Sequence, residues 1–336
     1  MDKRVIFATA GSGKTTYIVN NLSLEKRTLI VTYTNGNYEN LRRKISDKFG
    51  GVLPPNITLI KYFSFLYGFC YKPFLSDQFK AKGIIYESNP NRFVKQTQKG
   101  YFFSSNNYLY SNRIALLLEK TEVIEDIKKR IEKYFDEFVI DEIQDIAGRD
   151  FSLLEKLMEA NVNMLFVGDF YQHTFDTSRD GIVNSTLYDD IKAYEHRFEK
   201  KGIRIDRTTL SYSWRCSNAV CKYIRENLGI EIFSNRPDVD DTAVEFIDDE
   251  IDIDRILRDN KIIKLHYQNG AKKGEFHKNW GETKGEDCYH DVCVLLNKTT
   301  AKKRNLNKLD ELTQATKNKL YVAITRAKGK VYLINE

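Results

Sequence analysis

The run Val5-Ile6-Phe7 leads directly into Ala8-Thr9-Ala10-Gly11-Ser12-Gly13-Lys14-Thr15, and a helix-forming stretch opens near Thr16. No other stretch constrains the fold as strongly. A short apolar run reads as a buried strand, a glycine-rich bend as a tight turn, and the residues after it as the first turn of a helix. Gly11 and Gly13 allow successive backbone N–H groups to turn inward around an anion at the helix N-terminus, where the helix dipole adds attraction. The spacing matches the phosphate-binding pattern G-x-x-x-x-G-K-[ST], with Ala8 in place of its first glycine. Lys14 is then expected to reach the β- and γ-phosphates of ATP and Thr15 to hold Mg²⁺, with Ala10, Ser12 and Thr16 completing the cradle. A glycine-rich turn with a chance lysine is the plainer alternative, and the flanking strand and helix argue against it.

Phosphate binding alone does not define a reaction. A second apolar run, in VIDEIQD (Val139 to Asp145), ends in the acid pair Asp141-Glu142. If that strand lies beside Val5–Phe7, Asp141 faces the Mg²⁺ held by Thr15, and Glu142 can orient or deprotonate the attacking water. A third run, MLFVGD, ends at Asp169 and is followed by Gln172. A neutral amide there can bond a γ-phosphate and release it after hydrolysis, which makes a switch. Gln144 and Asp145 are expected to link nucleotide state to neighbouring segments.

Short apolar runs alternate with amphipathic stretches along the 336 residues, which argues for parallel sheets covered by helices. TLIVTYT precedes ENLRRKISDKF, and FDEFVID precedes FSLLEKLMEA; after Gly202 the runs TTLSYSW, AVEFID, KIIKLHY, DVCVLLN and VYLINE form a second cycle. Domains are therefore expected over 1–202 and 203–336. An aromatic, Asn- and Lys-rich insertion occupies about 67–115, and one helical segment, RIALLLEKTEVIEDIKKRIEKYF, leads back to the next strand. The acidic stretch DDEIDIDRILRDN reads as a solvated helix.

The composition, 41% hydrophobic and 30% charged, is that of a soluble globular chain, and no apolar run approaches the roughly 20 residues a membrane helix needs. A cytoplasmic location without membrane contact is expected. The formal charge of +6, spread over many segments, permits a polyanionic partner without requiring one. Five cysteines suggest reduced thiols. The pairs Cys216/Cys221 and Cys288/Cys293 have loose zinc-ligand spacing, and buried free thiols are the better reading.

The ordered blocks ATAGSGKTT, VTYTNGNYENL, KYFSFL, VIDEIQD, FVGDFYQHTF, LSYSWRC, GETKGEDCYHDVCVL and LYVAITRAK resemble the UvrD/Rep family of superfamily 1 helicases, from Ala8 to Lys328. The resemblance implies a P-loop NTPase made of two RecA-like lobes with the ATP site at their interface. It makes Arg215 and Arg326 the arginines that approach the γ-phosphate, Trp214 the ring that stacks on adenine, and Asp287, or Glu286, the acid that holds the ribose. A core position is the rival reading of Trp214. Thr32, Thr34, Asn35 and Ser64 from the first half, and Thr283 and Lys284 from the second, are implied to contact a single strand. Phe175 is the implied base-stacking aromatic, against a core phenylalanine.

Several positions depart from the family. No room exists upstream of Gly11 for its adenine-reading glutamine segment, its histidines are replaced by Phe63 and Gly281, and a further aromatic falls on Thr177. The second insertion is nearly absent. The Lys-rich stretch NKTTAKKRNLNKLDEL reads as a solvated face or a phosphate contact. The resemblance thus implies an ATP-driven single-stranded DNA translocase or helicase of 3′→5′ polarity, with RNA as an open alternative and a grip that alternates between the TYTN and TKG regions. The other reading is an ATP-operated switch, such as the helicase-like partner of a nuclease in phage defence.

Overall fold

The computed structural model describes residues 1–91, 93–175, 177–178, 181–237 and 242–336. They form two compact units. The first comprises Met1–Ile6, Thr15–Gly168 and Phe175–Asp206, and the second Phe7–Lys14, Asp169–Thr174 and Arg207–Glu336.

The first unit is built on a six-stranded sheet: β1 (Lys3–Phe7), β2 (Thr28–Thr32), β3 (Ile57–Lys61), β4 (Glu137–Asp141), β5 (Asn163–Gly168) and β6 (Arg204–Asp206), in the spatial order β3-β2-β4-β5-β1-β6. The inner strands are apolar through their middle residues, as a sheet covered on both faces requires; all five residues of TLIVT in β2 are buried. Register places Val31 opposite Ile140 and Val139 opposite Leu165. Helices α1 (Lys14–Asn21), α2 (Asn35–Lys48), α3 (Ile124–Tyr134), α4 (Gly148–Leu157) and α5 (Ile191–Glu199) cover it. The Thr34 side chain caps α2 by accepting the Asn37 N–H at 3.1 Å. Phe151 of α4 and Phe166 of β5 both pack on Phe198 of α5, with ring centroids 5.7 and 6.4 Å away.

Two expectations about this unit are corrected. The acid-bearing strand β4 does not lie beside β1; β5 is inserted between them, so the two are separated by two strand spacings, roughly 10 Å. The segment expected as one helix breaks into Ile114–Lys120 and α3, because Glu122 takes a left-handed φ of 59° and the Thr121 hydroxyl turns back onto the Leu117 carbonyl at 2.8 Å. The start of the insertion is helical: a π-helix over Phe65–Tyr71 runs into Lys72–Phe79 before the chain opens into a short parallel pair, Ile84–Ile85 with Leu109–Tyr110.

The second unit carries a five-stranded parallel sheet of β7 (Val244–Ile247), β8 (Ile263–His266), β9 (His277–Asn279), β10 (Val292–Leu296) and β11 (Val331–Asn335), ordered β7-β11-β10-β8-β9. Its helices are α6 (Asn218–Leu228), α7 (Glu250–Arg258), α8 (Lys298–Asn305) and α9 (Gln314–Ile324). Ser217 caps α6 at its start, and Gly229, with φ 65°, ends it in the left-handed turn that glycine tolerates best. The acidic α7 buries only Ile256, as a solvated helix should. The run TTLSYSW supplies only a short strand, Tyr212–Ser213. Four of the five thiols are buried, whereas Cys288 is exposed, contrary to the expectation of buried thiols throughout.

The fold is therefore α/β, with two RecA-like parallel-sheet lobes and helical insertions. Among the described residues no helix is long and apolar enough to cross a membrane.

Candidate functional site

In the first unit the nucleotide-site candidates sit at strand ends and the adjoining helix start. Thr15 is half-buried in the first turn of α1, and Asp141 is buried at the end of β4. Glu142 follows in the left-handed conformation (φ 58°, ψ 51°), which costs a residue with a Cβ roughly 1–2 kcal/mol. Strain at such a position commonly accompanies a functional role. The Gln144 amide holds it, donating to the Glu142 carboxylate at 2.5 Å. Gly168, at the end of β5, leaves room for this arrangement: a Cβ there would lie 2.3 Å from the Gln144 Oε1 and 2.7 Å from the Ile143 Cγ2. Thr16 is exposed and accepts the Lys44 ammonium at 2.8 Å.

In the second unit the glycine loop is backed by three segments. Gly11 and Gly13 have φ values of 71° and 87°, where glycine is the natural occupant. The Trp214 N–H donates to the Gly11 carbonyl at 2.9 Å, and the Thr9 N–H to the Leu210 carbonyl at 2.9 Å. A Cβ on Gly11 would meet the Arg215 Cβ at 2.6 Å and the Ser213 Oγ at 2.8 Å, so only glycine lets this backbone approach. The Ala10 N–H donates to the Tyr321 hydroxyl at 2.9 Å; that hydroxyl donates to the Asp169 carboxylate at 3.1 Å, which also accepts the Gln172 amide at 2.8 Å. Sequence reasoning missed Tyr321, although the block LYVAITRAK contains it.

The two arginines differ in how they are held. Arg215 donates to the Thr325 carbonyl at 3.2 Å and forms an ion pair with Asp287. Arg326 is buried and donates to the carbonyls of Val322, Thr283 and Glu286 at 3.1, 3.3 and 3.1 Å. Burial, and then the neighbouring Arg215 charge, lower its pKa to about 10. Its buried Nη2 has no hydrogen-bond partner among the described residues. Glu286, the second candidate for the ribose, is engaged by Lys278 at 2.6 Å and by the Tyr289 hydroxyl. Trp214 is 65% exposed, which removes the core reading; the core tryptophan is Trp280.

The candidate strand contacts divide by exposure. Thr32 is buried, Thr34 serves as the α2 cap, and Thr283 is buried with its hydroxyl on the Trp280 carbonyl at 3.1 Å. Asn35 and Ser64 are exposed, and Lys61 donates to Asn35 at 3.0 Å. Lys284 and Phe175 are half-buried. Phe175 packs on Tyr33 with centroids 5.3 Å apart.

The donor sets fit the implied ligands. Positive-φ glycines and Lys14 at a helix start suit a polyphosphate. A hydroxyl and a buried carboxylate are the hard oxygen ligands that Mg²⁺ takes alongside phosphates and waters. A family pattern described as an AAA domain matches residues 2–176, about half of the chain. The chain belongs to the AAA domain family. The AAA domain implies ATP binding. Among curated proteins none matches this AAA-domain chain. Solved structures similar to it include the PRRSV helicase (13% identity, TM-score 0.49, 99% of this chain and 52% of that one). They also include arterivirus nonstructural protein 10, a helicase, in complex with DNA (14% identity, TM-score 0.50, 99% of this chain and 60% of that one). The chain thus spans between half and two thirds of the length of these helicases, and at such identity the likeness concerns the fold.

Proposed function

We propose that this chain is an ATP-driven translocase on single-stranded nucleic acid, of the UvrD type with 3′→5′ movement, and with DNA as the first substrate. The observation that carries the reading is that the Arg215 Cβ lies against the glycine loop, 2.6 Å from the Cβ position of Gly11, so the side chain starts beside the cradle while its guanidinium rests on the Thr325 carbonyl and Asp287. Once released from Asp287, a guanidinium rooted beside a phosphate cradle is suited to charge spreading over a transferring phosphoryl group, and such arginines are worth roughly 10³–10⁵ in rate. In this reading the loop amides and Lys14 bind the phosphates, Trp214 covers the base, and Asp287 holds the ribose after leaving Arg215. Although β5 separates their strands, Thr15 and Asp141 would be the residues that hold Mg²⁺, which when bound would draw negative charge from the phosphates. Glu142 orients the water and takes its proton, Gln172 reads the γ-phosphate, and Arg215 and Arg326 neutralise the developing charge. The exposed Asn35 and Ser64 and the Lys284 region grip the strand in turn. The arterivirus helicase, described with DNA, supports placing DNA first.

One observation favours a second reading, a nucleotide-operated switch with a protein partner such as a nuclease: Arg215 is paired with Asp287. That pairing withholds the arginine until something separates the two. ATPase rate measured at low salt against single-stranded DNA, single-stranded RNA and duplex decides between them. Stimulation by single strands supports the motor, and an unchanged rate on every nucleic acid, with ATP-dependent assembly on size-exclusion chromatography, supports the switch.

A further inference from the structure

The insertion holds a large open groove that no role above uses. Its volume is about 850 Å³, in the range of ligand pockets, and Tyr86, Asn89, Asn91, Ser104, Asn106 and Tyr108 are among the residues that line it. Its walls are fixed. The Asn89 amide donates to the Gly100 carbonyl at 2.8 Å, and the Asn107 amide donates to the carbonyls of Phe79 and Lys80 at 3.0 and 2.7 Å. Phe103 and Tyr110, which also line it, are buried, whereas Tyr86 is 66% exposed. A ring exposed to that degree adds little to packing.

Two independent observations identify the occupant. Tyr86 ends a line of aromatic rings. Phe175 meets Tyr33 at 5.3 Å, Tyr33 meets Phe63 at 5.9 Å, and Phe63 meets Tyr86 edge-on at 5.2 Å. The first three rings are half-buried, and the line leads from Phe175 to Tyr86 in the groove lining. The second observation is charge. Residues 67–115 contain seven Lys and Arg against two Asp and Glu, a net +5 within a chain of +6. Among the described lining residues Glu87 is the one charged group, and the exposed Lys82, Lys95 and Lys99 flank the groove, so a polyanion meets cations at its rim and an exposed ring on which an unpaired base can stack.

We propose that the groove, entered over Tyr86, binds unpaired nucleobases of a single strand and extends the strand path from Phe175 into the insertion. The inference rests on the motor reading and adds a site to it. Phe63 is the link: it carries the path across to Tyr86, and so the strand reaches a surface that the motifs alone would not offer.

The test is fluorescence anisotropy at low salt with labelled oligodeoxythymidine, oligouridine and an abasic strand of equal length. The proteins are the full chain, Tyr86→Ala and Tyr86→Phe. Loss of one stacked base weakens binding by about tenfold. Tyr86→Ala is expected to lose that factor on base-bearing strands only, Tyr86→Phe to keep wild-type affinity, and thermal midpoints to be unchanged. The ratio of oligodeoxythymidine to oligouridine affinity tells DNA from RNA. Equal affinity of Tyr86→Ala and the wild type overturns the groove while leaving the motor reading intact, as does an equal loss on the abasic strand. A wild type that binds none of the strands overturns both.

Discussion

The Tyr321 hydroxyl accepts the Ala10 backbone N–H at 2.9 Å and donates to the Asp169 carboxylate at 3.1 Å, so one side chain of α9 touches both the glycine loop and the segment bearing Gln172. The ring is buried, and burial, with Asp169 next in order, pushes its pKa well above the ordinary tyrosine value. It stays a neutral donor at any working pH. Removing the oxygen takes the acceptor from the buried Ala10 N–H, at about 1–3 kcal/mol, while the Asp169 oxygen keeps the Gln172 amide. Tyr321→Phe is expected to lower the denaturation midpoint accordingly and to weaken ATP binding. Isothermal titration and urea unfolding check this, and wild-type values in both would show that the link has no energetic weight.

Glu142 carries the proton transfer in the proposed reaction, whereas Lys14 and the loop carry binding. Glu142→Gln keeps the size and the hydrogen bond to Gln144 but cannot take a proton. Turnover is expected to fall by about 10²–10⁴, with ATP affinity preserved. A single-turnover assay beside equilibrium binding separates the two, and loss of binding would show that the carboxylate holds the nucleotide.

Gly168 lies against the segment that orients Glu142. A methyl group there would sit 2.3 Å from the Gln144 Oε1, 2.7 Å from the Ile143 Cγ2 and 3.1 Å from the Ile143 nitrogen, so backbone as well as side chain must give way. Gly168→Ala is expected to cost about 1–3 kcal/mol in stability and to lower turnover through the displaced Gln144. A variant with the lower melting temperature and full turnover would show that Gln144 does not position Glu142.

Much of this was legible from periodicity. VIDEIQD and MLFVGD are strands that end where their acids begin, because apolar runs of this length, bounded by charge, suit a strand buried on both faces. Strand order was not legible. That β5 separates β1 from β4 depends on pairing between residues far apart in sequence. The aromatic run after Phe65 hid a helix because tyrosine and phenylalanine favour neither state strongly and show no clear period. Nothing in the spacing of LYVAITRAK singles out Tyr321, and its hydroxyl acquires meaning only when Ala10 and Asp169 are folded around it. The line from Phe175 to Tyr86 joins four segments that no spacing rule connects.

Asp150 gives the fold a dependence on pH. Its carboxyl is buried in α4, and burial raises its pKa from 3.8 to about 7, while the nearby Thr177 and Tyr62 hydroxyls draw it back down. In the unfolded chain the same group ionises near 3.8, so between that pH and about 7 the folded protein holds a proton that the unfolded chain has released. Stability from this group is therefore greatest below about pH 4, falls as pH rises through the interval, and levels off once the folded carboxyl has itself ionised. The size is on the order of a few kcal/mol. Asp150→Asn keeps the shape and removes the titration. The variant is expected to match the wild type at pH 4 and to melt at a higher temperature than the wild type at pH 8. Melting temperatures of the two proteins across pH 4–8 check this; a constant difference over that range would mean that Asp150 is ionised in the folded state throughout.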